Sequence, residues 1–214
     1  MPGQAGHMNQ MLISDGKYLR PSKETRVLAI LDSLAKESEL SQFELGRRLN
    51  LSGAMINQYL NSLAADRLVE FLPVNGKSFR YVLTPDGDAT RRRMFSDYSS
   101  ETIRLYSTIK SFIQDRLRVL RERGLRRLVL FGASETCEVV LSALRESEFT
   151  VVALLDNDDS KHGHNFHGHV VAHPMILESL VCDAVVVTSF GKQDEIHEQL
   201  KPLCASRGIH IMRF

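Results

Sequence analysis

The stretch "LVLFGASETCEVVLSAL", residues 128–144, constrains the fold more than any other part of the chain. Consecutive apolar residues end in a glycine, a few polar residues follow, and apolar positions then recur at helical spacing. That order predicts a buried strand, a tight turn and a helix returning over the strand. The alternation continues to residue 214, with strands expected at "RLVLFG", "TVVALLD", "AVVVTS" and "HIMRF" and helices starting near Ser134, Pro174 and Lys192. Strands that are apolar throughout and separated by helices predict a parallel sheet covered on both faces. Ligands of such sheets bind beyond the carboxyl ends of the strands, where strand order reverses.

Residues 22–95 follow a different rule. In "ETRVLAILDSLA" the positions Val27, Leu28, Ile30, Leu31 and Leu34 form one helical stripe. "SQFELGRRL" offers Ser41 as an N-cap with Glu44 three residues later, a capping box, and Phe43, Leu45 and Leu49 as apolar contacts. After the short turn "NLS", Ser52 caps a third helix with Ile56, Leu60 and Leu63 on its inner side. So short a turn predicts steeply crossed helices, a helix-turn-helix with the third helix projecting. Its outer face carries Ser52, Asn57, Gln58 and Asn61, and amide side chains suit base edges in the major groove. Two β-prone segments, "LVEFL" and "FRYVLT", then flank "PVNGKS", whose Asn75-Gly76 signals a hairpin. Such a wing, with Lys77 at its tip and Arg80 nearby, can lie along a phosphate backbone.

Between the two parts, Ser100 to Arg123 reads as one long helix. Ile103, Tyr106, Ile109, Phe112, Ile113, Leu117 and Leu120 fall at three- and four-residue steps. A lone helix of this kind needs a partner for its stripe, either the C-terminal domain or the same helix of a second chain. The second chain is the expected partner, because a dimer lets two recognition helices address two half-sites. The chain thus divides into a flexible arm at 1–21, a winged helix at 22–95, a linker and dimerisation helix at 96–125 and an α/β domain at 126–214.

Charge follows the same division. Residues 1–95 hold 13 Lys/Arg against 10 Asp/Glu, residues 96–127 hold 8 against 4, and residues 128–214 hold 6 against 12. A basic front could meet a polyanion. The three cysteines, Cys137, Cys182 and Cys204, include no CxxC pair and are expected as reduced, buried thiols of a cytoplasmic protein. No apolar run approaches the roughly 20 residues that cross a bilayer, and "MPGQAGHMNQMLISDGKYLR" has neither the basic n-region nor the apolar h-region expected of a secretory signal.

Helix, helix, turn, helix and hairpin in this order resemble the winged-helix regulators of the MarR type, over roughly residues 22–95. The "LTPDG" at 83–87 is similar to the element by which many of those regulators leave the wing, particularly the small ones associated with exopolysaccharide gene clusters. Residues 126–214 resemble the Rossmann-like, nucleotide-sugar-binding N-terminal domain of bacterial sugar O-acyltransferases. The matching residues are Gly132, Asp156, Asn157, Asp158, Lys161, Gly163, Gly168 and Val170. The joining of a winged helix to such a domain is also similar to the NADH-sensing repressors of the Rex family.

Against the dinucleotide fingerprint, Gly132 stands where the tight turn needs it, but Ser134 and Cys137 replace the second and third glycines. The amides of Ser134, Glu135 and Thr136 would still face an anion from a helix N-terminus. Asp156 ends the second strand where an acid accepts from a ribose. Gly132, Ala133, Ser134, Glu135, Thr136, Asp156, Asn157 and Ser189 are the candidate ligand residues. The missing glycines favour a nucleotide sugar over NAD(H). The histidines at 162, 164, 167, 169 and 173 are not expected to bind a metal, since glycines explain their segment as a hairpin. With no nucleophile, base and orienter readable together, the chain is expected not to be an enzyme. The reading is an α/β-plus-winged-helix, DNA-binding, homodimeric transcriptional regulator sensing a nucleotide-type effector, with a surface-polysaccharide pathway as its setting. A Rex-like NAD(H) sensor and a sugar-nucleotide-modifying enzyme with an accessory winged helix are the alternatives.

Overall fold

The structure, a computed structural model, describes residues 19–37, 40–75, 78–145 and 147–214. They form two compact units, divided between Ile103 and Arg104.

In the first unit each of the first three helices starts at a serine. Ser22 accepts from the Thr25 amide at the start of α1 (Lys23–Lys36), and Ser52 from the Met55 amide at the start of α3 (Gly53–Ala65). Ser41 and Glu44 form the expected capping box on α2 (Gln42–Leu49). Caps of this kind contribute about 1 kcal/mol each. The inner faces meet in a core of Leu28, Ile30, Leu31, Leu45, Ile56 and Leu60, all at most 2% exposed. Phe43 does not join it: the side chain is 79% exposed, because α2 turns only Leu45, Gly46 and Leu49 inward. The strands β1 (Val69–Asn75) and β2 (Ser78–Leu83) pair antiparallel, from Val69 opposite Leu83 to Asn75 opposite Ser78.

The helix after the wing, α4 (Pro85–Glu122), begins fifteen residues before the expected Ser100. "LTPDG" explains this. The Thr84 hydroxyl accepts from the Gly87 amide at 2.9 Å, capping the helix, while Pro85 takes the first helical position. Gly87 is required there, since a Cβ would lie 2.0 Å from the Leu68 carbonyl oxygen. Met94 and Tyr98 then pack on the first unit's core, and Arg91 reaches Asp32 of α1 at 3.4 Å.

In the second unit the strands are β3 (Arg127–Phe131), β4 (Thr150–Leu155), β5 (Asn165–Phe166), β6 (His169–Ala172), β7 (Ala184–Val187) and β8 (His210–Met212). Their order across the sheet is β5-β6-β4-β3-β7-β8. Every neighbouring pair is parallel except β5 with β6. The chain moves one way from β3 through β4 to β6, then returns to β7 on the other side of β3, so strand order reverses between β3 and β7. The hairpin of β5 and β6 was expected; that β6 also joins β4 was not.

Alternation along β3 divides the core in two. Leu128 and Leu130 pack with Cys137 and Val140 of α5 (Glu135–Leu144) and with Ile113, Leu117 and Leu120 of α4. Val129 and Phe131 pack with Ile196, Leu200 and Cys204 of α6 (Gln193–Arg207). Two expectations are corrected here. Ile113, Leu117 and Leu120 are not a seam for a second chain, because each is at most 2% exposed against its own sheet. Burying such a side chain stabilises by about 1.5–3 kcal/mol, so the nearest apolar face takes it. The helix expected from Pro174 is only a 3-10 segment, Pro174–Glu178, ended by the Ser179 amide bonding back to Ile176. Among the described residues no helix is long and apolar enough to cross a membrane.

Candidate ligand crevice and nucleic-acid interface

The site expected from the sequence lies at the carboxyl ends of β3, β4 and β7, where strand order reverses. Gly132 leaves β3 with φ +110°, and a Cβ there would stand 3.3 Å from the Thr188 carbonyl oxygen, so the turn is built for glycine twice over. Thr188, fully buried, donates its hydroxyl toward the Gly132 carbonyl at 2.6 Å and the Phe131 carbonyl at 2.9 Å. The Ser134 hydroxyl returns a bond to the Thr188 carbonyl at 2.9 Å. Drawn that way, it makes no capping bond to α5, whose first-turn amides receive no side-chain cap.

Asp156 fastens the turn from the β4 side. Its Oδ2 accepts from the Ala133 amide at 2.7 Å and from Lys161 Nζ at 2.9 Å, and its Oδ1 from the Asp158 amide at 2.9 Å. Burial pushes this carboxyl up, but the three donors together outweigh it and hold the group below the usual range. Lys161 also donates to the Ala133 carbonyl at 2.9 Å, and His162 Nε2 to the Asp156 carbonyl at 2.8 Å. Asp156 is thus bonded into the turn itself rather than left as a free acceptor. Asn157 is spent similarly, exchanging two bonds with Gln199 of α6 at 2.8 and 3.0 Å.

The structure therefore brings Gly132, Ala133, Ser134 and Asp156 into one network and turns Asn157 toward α6. Glu135 is exposed, and Thr136 and Ser189 are half-buried. Thr188 and Gln199 were missed. A hydroxyl closing the apolar run "AVVVT" was the available signal for Thr188. Burial pushes the Cys137 thiol up to about 11, as an inert core thiol requires. Among the described residues no group of three or more His, Cys, Asp or Glu is placed to hold a metal ion. His167 instead forms the tip of the β5–β6 hairpin with φ +50°, its Nε2 3.6 Å from Glu138.

In the first unit, α3 keeps Ile56, Leu60 and Leu63 inside and leaves Ser52, Asn57, Gln58 and Asn61 exposed, as expected. Arg80 is exposed on β2, while Lys77 and Gly76 lie outside the described residues.

Residues 24–70 match the family model described as winged helix-turn-helix DNA-binding. The match runs from α1 into β1. Residues 124–210 match the family described as C2185-like, N-terminal, which spans the sheet unit as far as the start of β8. No curated protein matches the chain significantly. Similar solved structures include a probable transcriptional regulator from Pseudomonas aeruginosa, 22% identical, covering 56% of this chain and 90% of its own, with a TM-score of 0.37. BpsR of Bordetella bronchiseptica, whose DNA binding is regulated by 6-hydroxynicotinic acid, is 20% identical over 46% of this chain and 67% of its own, with a TM-score of 0.34. MarR of E. coli in its apo form is 17% identical over 43% of this chain and 66% of its own, with a TM-score of 0.32.

Proposed function

We propose that this chain is a DNA-binding transcriptional regulator of the MarR type, acting as a two-fold dimer, with a Rossmann-like module that binds a nucleotide-type effector. The observation that carries the DNA reading is the exposed amide row of Asn57, Gln58 and Asn61. It stands on the third helix of a segment that matches a DNA-binding family, directly before a β-hairpin wing. Amides pair a donor with an acceptor, as an adenine edge in the major groove demands. The effector reading is supported by the strand reversal between β3 and β7, the glycine turn at 132 and the uncapped first turn of α5. Ser134 occupies the position where a dinucleotide pyrophosphate needs glycine for close approach, and Cys137 the one where glycine serves close helix packing, so a nucleotide sugar is preferred, and with it a role in surface-polysaccharide synthesis.

Two measurements test this. Fluorescence anisotropy with genomic DNA fragments at graded salt should find sequence-selective binding that weakens as salt rises. Thermal shift with nucleotides and nucleotide sugars should find one class that stabilises the second unit, by about 2.7 kcal/mol at 100-fold saturation. DNA binding without selectivity at any salt removes the regulator reading, and no shift with any nucleotide removes the effector reading.

A further inference from the structure

The last turns of α4 face the end of α5 and the loop into β4 across a cleft of about 820 Å³, all of it within the second unit. Small-molecule sites occupy roughly 300–1,000 Å³. The apolar part of the lining is Leu117, Ala143 and half-buried Phe149, and the charged part includes Lys110, Arg121 and Arg145. Two acids share the cleft, and each is matched to a cation of its own. Asp115 lies 4.0 Å from Arg118, and Glu148 lies 3.2 Å from Arg126. Lys110, Arg121 and Arg145 make no ion pair among the described residues. Carbonyls at the two helix ends are occupied as well. The Ser147 amide and hydroxyl both donate to the Leu144 carbonyl, at 3.1 and 2.6 Å, and Arg126 Nη1 donates to the Arg121 carbonyl at 2.6 Å. Less of the helices' negative ends is therefore left to oppose an anion.

We infer that this cleft binds a small organic polyanion, a molecule with two or more phosphate or carboxylate groups on a compact apolar or ring-shaped centre. Like charges gathered in a concave site focus a positive potential, and guanidinium groups match both kinds of anion with paired hydrogen bonds. Lys110 and Arg121 stand roughly 16 Å apart along the axis of α4, which suits separated anionic groups better than a single one. Leu117, Ala143 and Phe149 give the centre of such a molecule an apolar surface. A DNA strand would need an unbroken basic track, and Asp115 and Glu148 interrupt this one. The site is also separate from the effector crevice proposed above. α5 runs back along the sheet from the Gly132 turn, so its end lies at the opposite edge, beside the start of β4.

Isothermal titration of the full chain with inorganic tripolyphosphate and with citrate, at a fixed ionic strength of about 0.15 M, tests the cleft. At least one of the two should bind saturably, and sulfate should not. Arg121→Gln/Arg145→Gln should raise that Kd at least about tenfold, whereas Arg93→Gln/Lys201→Gln, which removes two exposed cations elsewhere, should change it less than about twofold. Should the first pair fail to keep the parent's circular dichroism, Lys110→Gln alone should raise the Kd about threefold or more. An unchanged Kd in the folded variants overturns the site, and so does a parent that binds neither probe. If neither probe binds and Arg121→Gln/Arg145→Gln weakens only random-sequence duplex DNA, the cations serve a nucleic-acid backbone and the small-ligand site is overturned. Neither result touches the Gly132 crevice, whose own test is the nucleotide panel.

Discussion

The hydroxyl of Ser134 donates to the carbonyl oxygen of Thr188 across 2.9 Å, joining the turn after β3 to the end of β7. One bond thereby links the two loops between which strand order reverses. Replacing Ser134 by alanine should cost about 0.5–1.5 kcal/mol, read as a lower urea midpoint, because the Thr188 carbonyl loses a donor. Affinity for a nucleotide-type effector should change by no more than about twofold if backbone amides of α5 hold its phosphate. Complete loss of binding in Ser134→Ala would instead make the hydroxyl a ligand donor, and the bond to Thr188 one that opens on binding.

A pH dependence follows from the other end of the sheet. The Arg127 side chain, then the amides of Arg127 and Arg126, hold the Asp183 carboxyl down to about 2. A carboxyl depressed in the folded state stabilises above its unfolded value near 4, and that stability fades as pH falls toward 2. The side chain is 22% exposed, so screening leaves roughly 1–2 kcal/mol. Asp183→Asn should lower the urea midpoint at pH 7 and narrow its gap from the parent between pH 4 and 2. A gap that stays constant over that range would show that Asp183 contributes no charge-dependent stability.

Ile113 tests where the lower half of α4 belongs. The residue is fully buried among Leu128, Leu130 and Val140, so Ile113→Ala should cost about 2–5 kcal/mol through the cavity it leaves. Gln114→Ala, one position on and exposed, should stay within about 0.5 kcal/mol. Guanidinium unfolding followed by circular dichroism compares them. Aspartate at Ile113 or Leu117 should unfold the sheet unit rather than release folded monomers. Equal costs at 113 and 114 would contradict the packing.

Much of this architecture was legible because local rules and tertiary packing agree. Ser41 with Glu44 is a purely local device, as is the glycine after an apolar run at 132. β3, β4 and β7 were readable for the same reason, each being apolar on both faces. The partner of a helix face is not a local property. The spacing of Ile109, Phe112, Ile113 and Leu117 shows that α4 is apolar on one side. It cannot separate residues that sink into their own sheet from those left outside, because the two rows are only one position apart. The crevice was half legible in the same sense. Residue types placed Asp156 correctly at a strand end, but its bonds to Ala133, Asp158 and Lys161 depend on where a later loop folds back.

The exposed face of α3 carries the last prediction. Asn57 and Gln58 project from a helix whose opposite side, Ile56 and Leu60, is at most 1% exposed, so truncating either amide should leave folding unchanged. Asn57→Ala and Gln58→Ala should each lose discrimination between the selected DNA and a scrambled competitor, on the order of 1–3 kcal/mol per good base contact. Binding to the scrambled DNA, and the slope of affinity with salt, should stay as in the parent, because neither residue is charged. That pattern separates base readout from phosphate contact. If both variants keep the parent's preference at every salt concentration, α3 is not the reading helix, and the wing or another face of the first unit must supply the selectivity.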